Sequence, residues 1–358
     1  MMPDKITILF MRWADLDNTN AQSLNAREIA LRLDPRRFTC TLFYEREPDP
    51  RLLKMSNIRL VRVAPRLRTA IVLREMLRKH QIIAYINHSP ASYLFLRLPG
   101  KFRSRTITVH HAEAPAGQAT NVDRTTKFLS QAVMSRCDAH TAITQFVSRD
   151  LADAGIKSDF ILPVGVDTRL FSPPPERKQQ EPTVLFVGTL IERKGANLFV
   201  DAAQAFPMAK FLLAGSGRGG FEEGLRRRCL EQNISNVRFL GSQLQPAMVE
   251  IMQRSDIFLL PSRLEGIPKV TLEAAATGLP CIVFDDYQTP SVVDGETGFQ
   301  IKTVEDMHER LRLLLHDVPL RQKLGTAAVC HARAFDWDTV ARIWEEVYLQ
   351  LADRVEHG

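Results

Sequence analysis

The sequence predicts an α/β protein made of two units, each a doubly wound parallel sheet. Three observations predict it. Apolar runs of strand length alternate with helical stretches along nearly the whole chain. A proline-rich polar segment, residues 171–182, interrupts the alternation near the middle. The length of 358 residues, with 45% hydrophobic and 25% charged content, suits about two ordinary globular domains.

In the first half, residues 5–11 read as a strand and 21–33 as the helix after it. The loop between them has no glycine, so it is not a dinucleotide fingerprint, and Asn18, Thr19 and Asn20 are read as helix-capping residues. Strands follow at 38–43, 58–63, 82–87, 106–110 and 140–143, separated by helices at 69–79, 90–98, 123–136 and 145–154. His88, His110 and His111 then lie at strand ends, the side on which parallel sheets open to ligand. A single histidine is more often structural than functional, and the strand-end position singles out His110 and His111. None of the three has the spacing of a metal site.

In the second half, residues 183–187 form a strand that runs into Gly188-Thr189-Leu190-Ile191-Glu192-Arg193-Lys194-Gly195. Two glycines beside Arg193 and Lys194 suit a diphosphate clamp, since arginine forks onto phosphate oxygens and lysine adds a point charge. A solvated charged turn is the equal alternative. The order of a Walker A loop is absent. Gly215 and Gly217 end the next strand, and Gly241 the one after. A buried strand, 256–260, then leads through Glu265, Gly266, Ile267 and Pro268 into a helix from Lys269 and Val270 onward, with Glu273 one turn inside. A strand, a Gly/Pro turn and a helix start present backbone N–H groups to an anion. Two carboxylates beside such a site require another task, and sugar hydroxyls provide one. Residues 279–284 are a further strand, 294–299 a polar turn into a short strand, and the remainder is helical at 304–316, 319–334 and 337–351.

Charge is unevenly spread. Of 47 Lys+Arg and 41 Asp+Glu, residues 1–170 hold 26 and 16, which leaves 21 and 25 for the rest. The excess lies between Arg46 and Arg105, and it is either a solvated face or a docking face for an anionic partner. The five cysteines are scattered, without a CxxC pair, which argues against a disulfide framework or zinc site and fits a reducing cytosol. No secretory signal is read, and no apolar run approaches the roughly 18 residues of a membrane span.

Together these landmarks resemble the retaining glycosyltransferases of family 4, the "group 1" glycosyltransferases of GT-B fold. The resemblance rests on Glu265-Gly266-Ile267-Pro268 through Leu272-Glu273-Ala274, with Gly278 and Pro280 beyond, a pair of acids separated by seven residues. Lys194-Gly195, the Gly215/Gly217 pair, Phe239-Leu240-Gly241, Gly165-Val166-Asp167 and the turn from Asp294 to Gly298 support it in order. It covers most of the chain, specifically in the second half and loosely in the first. Departures are Thr189 where members often carry arginine, Val164 for asparagine, Lys269 at an often apolar position, and no glycine pair in the first loop.

The resemblance implies two facing Rossmann-like domains: residues 1–170, completed by a helix at 337–358 that crosses back, for the acceptor, and 183–336 for a nucleotide-sugar donor, with 171–182 as linker. It implies ribose hydroxyls on Glu273, the donor sugar beside Glu265, the diphosphate on Lys194 with Arg193, and His110, or His111 one residue on, near the sugar. Gly188, Thr189, Gly215, Gly241, Gly266, Ile267, Pro268, Lys269 and Val270 complete the expected donor contacts. No cofactor, metal or nucleic-acid partner is implied. A glycan or lipid-linked acceptor is, in envelope or polysaccharide synthesis, in the cytoplasm and at the inner membrane face if the basic half docks there. The alternatives are a phosphorylase or epimerase on the same scaffold, and a non-catalytic nucleotide-sugar binder. A glycosidase fits poorly, because its two acids must flank one bond rather than a helix start.

Overall fold

The computed structural model describes residues 5–357 except 19, 100–102, 104–105, 116–123, 176–180 and 218. Thr19 and the middle of the linker segment therefore lie outside the described residues. The chain divides into two compact units: Met1–Val164 with Trp337–Gly358, and Gly165–Asp336.

The first unit runs β1 (Ile6–Trp13), α1 (Ala21–Ala30), β2 (Phe38–Tyr44), α2 (Pro50–Leu53), β3 (Ile58–Arg62), α3 (Arg68–Met76), β4 (Ile82–Ala84), α4 (Pro90–Leu96), β5 (Ile107–Ala112), α5 (Arg124–Met134), β6 (Ala139–Ala142), α6 (Gln145–Asp153) and β7 (Phe160–Ile161). Its seven strands pair in parallel in the order β3-β2-β1-β4-β5-β6-β7. β1 is apolar on both faces because both are covered. Ile8 and Phe10 join one core cluster, Leu9 and Met11 the other. The C-terminal helix, Trp337–His357, closes the first cluster with Trp344, Tyr348 and Leu351, and the Trp344 indole donates to the Pro163 carbonyl at 2.9 Å. Burying Trp344 and Tyr348 contributes about 1.5–3 kcal/mol each.

The second unit runs β8 (Thr183–Val187), α7 (Ala196–Ala205), β9 (Lys210–Ala214), α8 (Phe221–Glu231), β10 (Val237–Gly241), α9 (Gln245–Gln253), β11 (Ile257–Leu260), α10 (Lys269–Ala276), β12 (Cys281–Phe284), β13 (Gly298–Ile301), α11 (Val304–His316) and α12 (Val318–Ala332). Its strands are parallel in the order β10-β9-β8-β11-β12-β13. The strand order of each sheet reverses once, between β1 and β4 in the first unit and between β8 and β11 in the second. The carboxyl ends of strands at such a reversal are where open α/β sheets bind ligands.

Some expectations are corrected. β5 continues to Ala112, so His110 and His111 lie within the strand and not at its end. β4 stops at Ala84 because Tyr85 adopts a φ of 55°, which extended backbone does not allow, and His88 falls in the following loop. The expected helix at 21–33 ends at Ala30. α2, β7 and α8 were not foreseen. α8 buries only Leu225 and so shows no apolar stripe.

Candidate active site

In the second unit the site grows from the loops after β8 and β11. The first loop turns through Glu192–Lys194 and ends at Gly195, whose φ is 75°. A Cβ there would meet the Pro261 carbonyl oxygen at 2.1 Å, so only glycine lets the two loops cross. Gly215 does the same for β9, with a φ of 136° and a would-be Cβ 1.9 Å from the Gly188 oxygen. These close approaches fix the 188–195 loop against its neighbours on both sides.

The crossing brings together residues far apart in sequence. Lys194 Nζ lies 2.6 Å from Glu265 Oε1, and Arg193 Nη1 lies 3.4 Å from the same oxygen. Arg193 also donates to the Leu264 carbonyl at 2.5 Å. Ser262, which the sequence reading missed, donates to Glu265 Oε1 at 2.6 Å and to the Arg193 carbonyl at 3.3 Å. Glu265 is 7% exposed, and among the described residues every hydrogen bond to its carboxylate falls on Oε1. Oε2 remains as an acceptor. Lys194 and Arg193 keep partial access to solvent, at 20% and 36% of their side chains.

Behind Gly266, Ile267 and Pro268, all buried, α10 begins at Lys269 with no side-chain cap on its N-terminus. Its first N–H groups therefore suit an anion, aided by the helix dipole. Glu273 is half-buried one turn inside. Desolvation pushes its carboxyl up to about 7, and the Lys269 ammonium pulls the other way. Lys269 thus acts on Glu273 from the preceding turn of the same helix face. Thr189 is exposed, and Gly241 ends β10 at a φ of 68°.

The first unit holds a histidine row of its own. His110 on β5 and His140 on β6 are aligned in register, with ring centroids 5.6 Å apart, and His88 stacks on His110 at 5.6 Å. Burial lowers His110 to about 3, with His88, His140 and Arg12 adding to it, so the imidazole is neutral. Its Nδ1 is buried without a partner. His111 faces the opposite side. It packs on Tyr85, Trp344 and Tyr348, and its Nδ1 bonds Thr141 Oγ1 at 2.5 Å. Of the pair, His110 is the one left outside the aromatic core. The row was legible only from strand register, because His140 gave no signal by spacing. Asn20 caps α1 through Gln22 and Ser23, as a capping residue should, while Asn18 accepts from the Asn20 amide.

Residues 167–329, inside the second unit, match the family model "Glycosyl transferases group 1". Over that stretch the chain is similar to this family. A GDP-mannose-dependent monoacylated alpha-(1-6)-phosphatidylinositol monomannoside mannosyltransferase of Corynebacterium glutamicum is 33% identical over 229 residues, 56% of this chain and 59% of that one. An N,N'-diacetylbacillosaminyl-diphospho-undecaprenol alpha-1,3-N-acetylgalactosaminyltransferase of Campylobacter jejuni is also 33% identical, over 49% of this chain and 46% of that one. A D-inositol 3-phosphate glycosyltransferase of Corynebacterium aurimucosum is 27% identical over 62% and 59%. The chain thus spans about three fifths or less of the length of these relatives. Among solved structures, Anabaena HepE in complex with UDP superposes with a TM-score of 0.77 at 16% identity, covering 97% of this chain and all of that one. Sucrose-phosphate synthase from Thermosynechococcus elongatus gives 0.76 at 18% identity, over 97% and 99%. These likenesses show the fold, which is GT-B.

Proposed function

We propose that this protein transfers a sugar, with retention, from a nucleoside-diphosphate sugar held by the second unit to an acceptor hydroxyl presented by the first. The carrying observation is the cluster of Lys194 and Arg193 on one oxygen of Glu265, beside the uncapped start of α10. When the glycosidic bond breaks, negative charge builds on the departing diphosphate. Lys194, Arg193 and the α10 amides stabilise that charge where a divalent cation otherwise would. Glu265 Oε2 takes a hydroxyl of the donor sugar, and an ionised Glu273 accepts both ribose hydroxyls.

The test is a panel of nucleotide sugars in the presence of chelator, scored for protection against thermal unfolding and for slow donor hydrolysis. Protection by one base, with hydrolysis of its sugar, is expected. Protection without any hydrolysis or transfer across an acceptor panel would favour a non-catalytic binder. Turnover that requires free phosphate would favour a phosphorylase, and conversion of the donor sugar without any acceptor an epimerase.

The relatives' names include phosphatidylinositol- and undecaprenol-linked acceptors, which supports a glycan or lipid-linked acceptor in envelope synthesis here. No helix among the described residues is long and apolar enough to cross a membrane. The basic face suits peripheral docking at the inner membrane. Around α3, Arg74 and Arg78 have side chains 67% and 56% exposed, near exposed Leu67 and Leu77. Vesicle co-sedimentation is expected to rise with anionic lipid and fall with salt. Equal sedimentation with neutral and anionic vesicles would remove the membrane from this reading.

A further inference from the structure

We propose that Arg12, at the carboxyl end of β1, is the seat for an anionic group, phosphate or carboxylate, carried by the acceptor. The proposal rests on reading the first unit as the acceptor side, and it names the acceptor's chemistry. Arg12 is the first charged residue after the apolar run of β1, and it stands where the strand order of the first sheet reverses between β1 and β4. Ile8, Phe10 and Arg12 share one face by alternation, so the guanidinium follows the core row outward to the sheet's open end.

Its contacts are neutral. Nη1 donates to the Met11 carbonyl at 2.9 Å, Nη2 donates to the Gln22 amide oxygen, and the guanidinium lies over the Tyr85 ring at 5.5 Å. Nε is buried with no hydrogen-bond partner. Among the described residues no carboxylate touches Arg12. Glu113 influences it only through space, and accepts instead from Asn25 at 2.7 Å. Burial lowers the guanidinium from its ordinary value, with Glu113 and Tyr85 opposing. The Tyr85 ring beneath Arg12 packs in turn on His111 at 4.2 Å between ring centroids. A partly desolvated arginine with an idle N–H, whose carboxylate neighbour Glu113 acts on it without a hydrogen bond, keeps a donor for a further anion.

The experiment is calorimetric titration of inorganic phosphate, and separately acetate, into the full-length protein. Lys194→Ala weakens the second unit's clamp, so the share of the remaining phosphate binding that an Arg12 substitution removes reports on the first unit. Adding Arg12→Gln to Lys194→Ala is expected to weaken that binding by about 10-fold or more, and adding Arg12→Lys, which keeps charge but loses the fork, several-fold. Stronger binding of phosphate than acetate assigns a phosphorylated acceptor, and the reverse a carboxylated one. Undiminished phosphate binding in both Arg12 variants overturns the seat. Arg12→Gln alone is expected to leave the affinity for UDP, GDP and ADP unchanged. Loss of that affinity would move the seat to the donor and overturn the acceptor assignment. Anion binding needs no sugar transfer, so this result stands or falls separately from the donor panel.

Discussion

Replacing Lys194 with alanine is expected to lower turnover by about 100-fold or more, the usual cost of removing one donor from a developing oxyanion. The loss should fall on kcat more than on KM, because the charge it stabilises appears only as the bond breaks. Glu265 would keep Ser262 at 2.6 Å and Arg193 at 3.4 Å, so the acid loop stays anchored and the fold is not at stake. Lys194→Arg should recover part of the loss. Steady-state kinetics on the donor identified by the panel decide the matter, and near-normal turnover in the alanine variant would remove Lys194 from the clamp.

Glu273→Ala is expected to weaken nucleoside diphosphate binding by about 100-fold, from two lost bonds to a charged acceptor worth about 1.5–3 kcal/mol each, less its desolvation. The pH dependence has a definite sign. The carboxyl is pushed up to about 7 from an ordinary 4.5, so affinity should rise as pH passes upward through that range and the ribose acceptor ionises. Stability should move the opposite way. Below 4.5 the group is protonated in both folded and unfolded chains and contributes nothing. Between there and 7 the unfolded chain ionises first, and stability declines as pH rises. Thermal unfolding of Glu273→Gln should lack that decline, whereas a profile parallel to the wild type would place the carboxyl in ordinary solvent.

Glu265, Glu273 and the 188–195 loop stood out in the sequence because their residue types are unusual for their positions. Glycine, proline and paired charges at strand ends have few structural uses. The alternation that gave both sheets was equally plain, since covered parallel strands read as apolar runs. The pairing of Lys194 with Glu265 was not legible, because it depends on β8 and β11 being neighbours and on a glycine that lets two loops cross. Strand neighbourhood is a property of the whole sheet. His140 escaped notice for the same reason, being placed beside His110 by register alone. Arg12 was passed over in a loop read only for glycines and caps. Tyr85, at a φ that strands forbid, shortened β4 where apolarity alone suggested a longer strand.

The C-terminal helix has a consequence for how the molecule is made. Trp337, Val340, Trp344, Val347, Tyr348 and Leu351 belong to the core cluster that includes Phe10 and Tyr85. A ribosome delivers the first unit's strands before the second unit and this helix after it. The second unit, by contrast, is continuous between Gly165 and Asp336 and can close its core before this helix emerges. The half that is translated first is therefore the half that finishes folding second, and until then its aromatic face is open to chaperones or to a neighbouring chain.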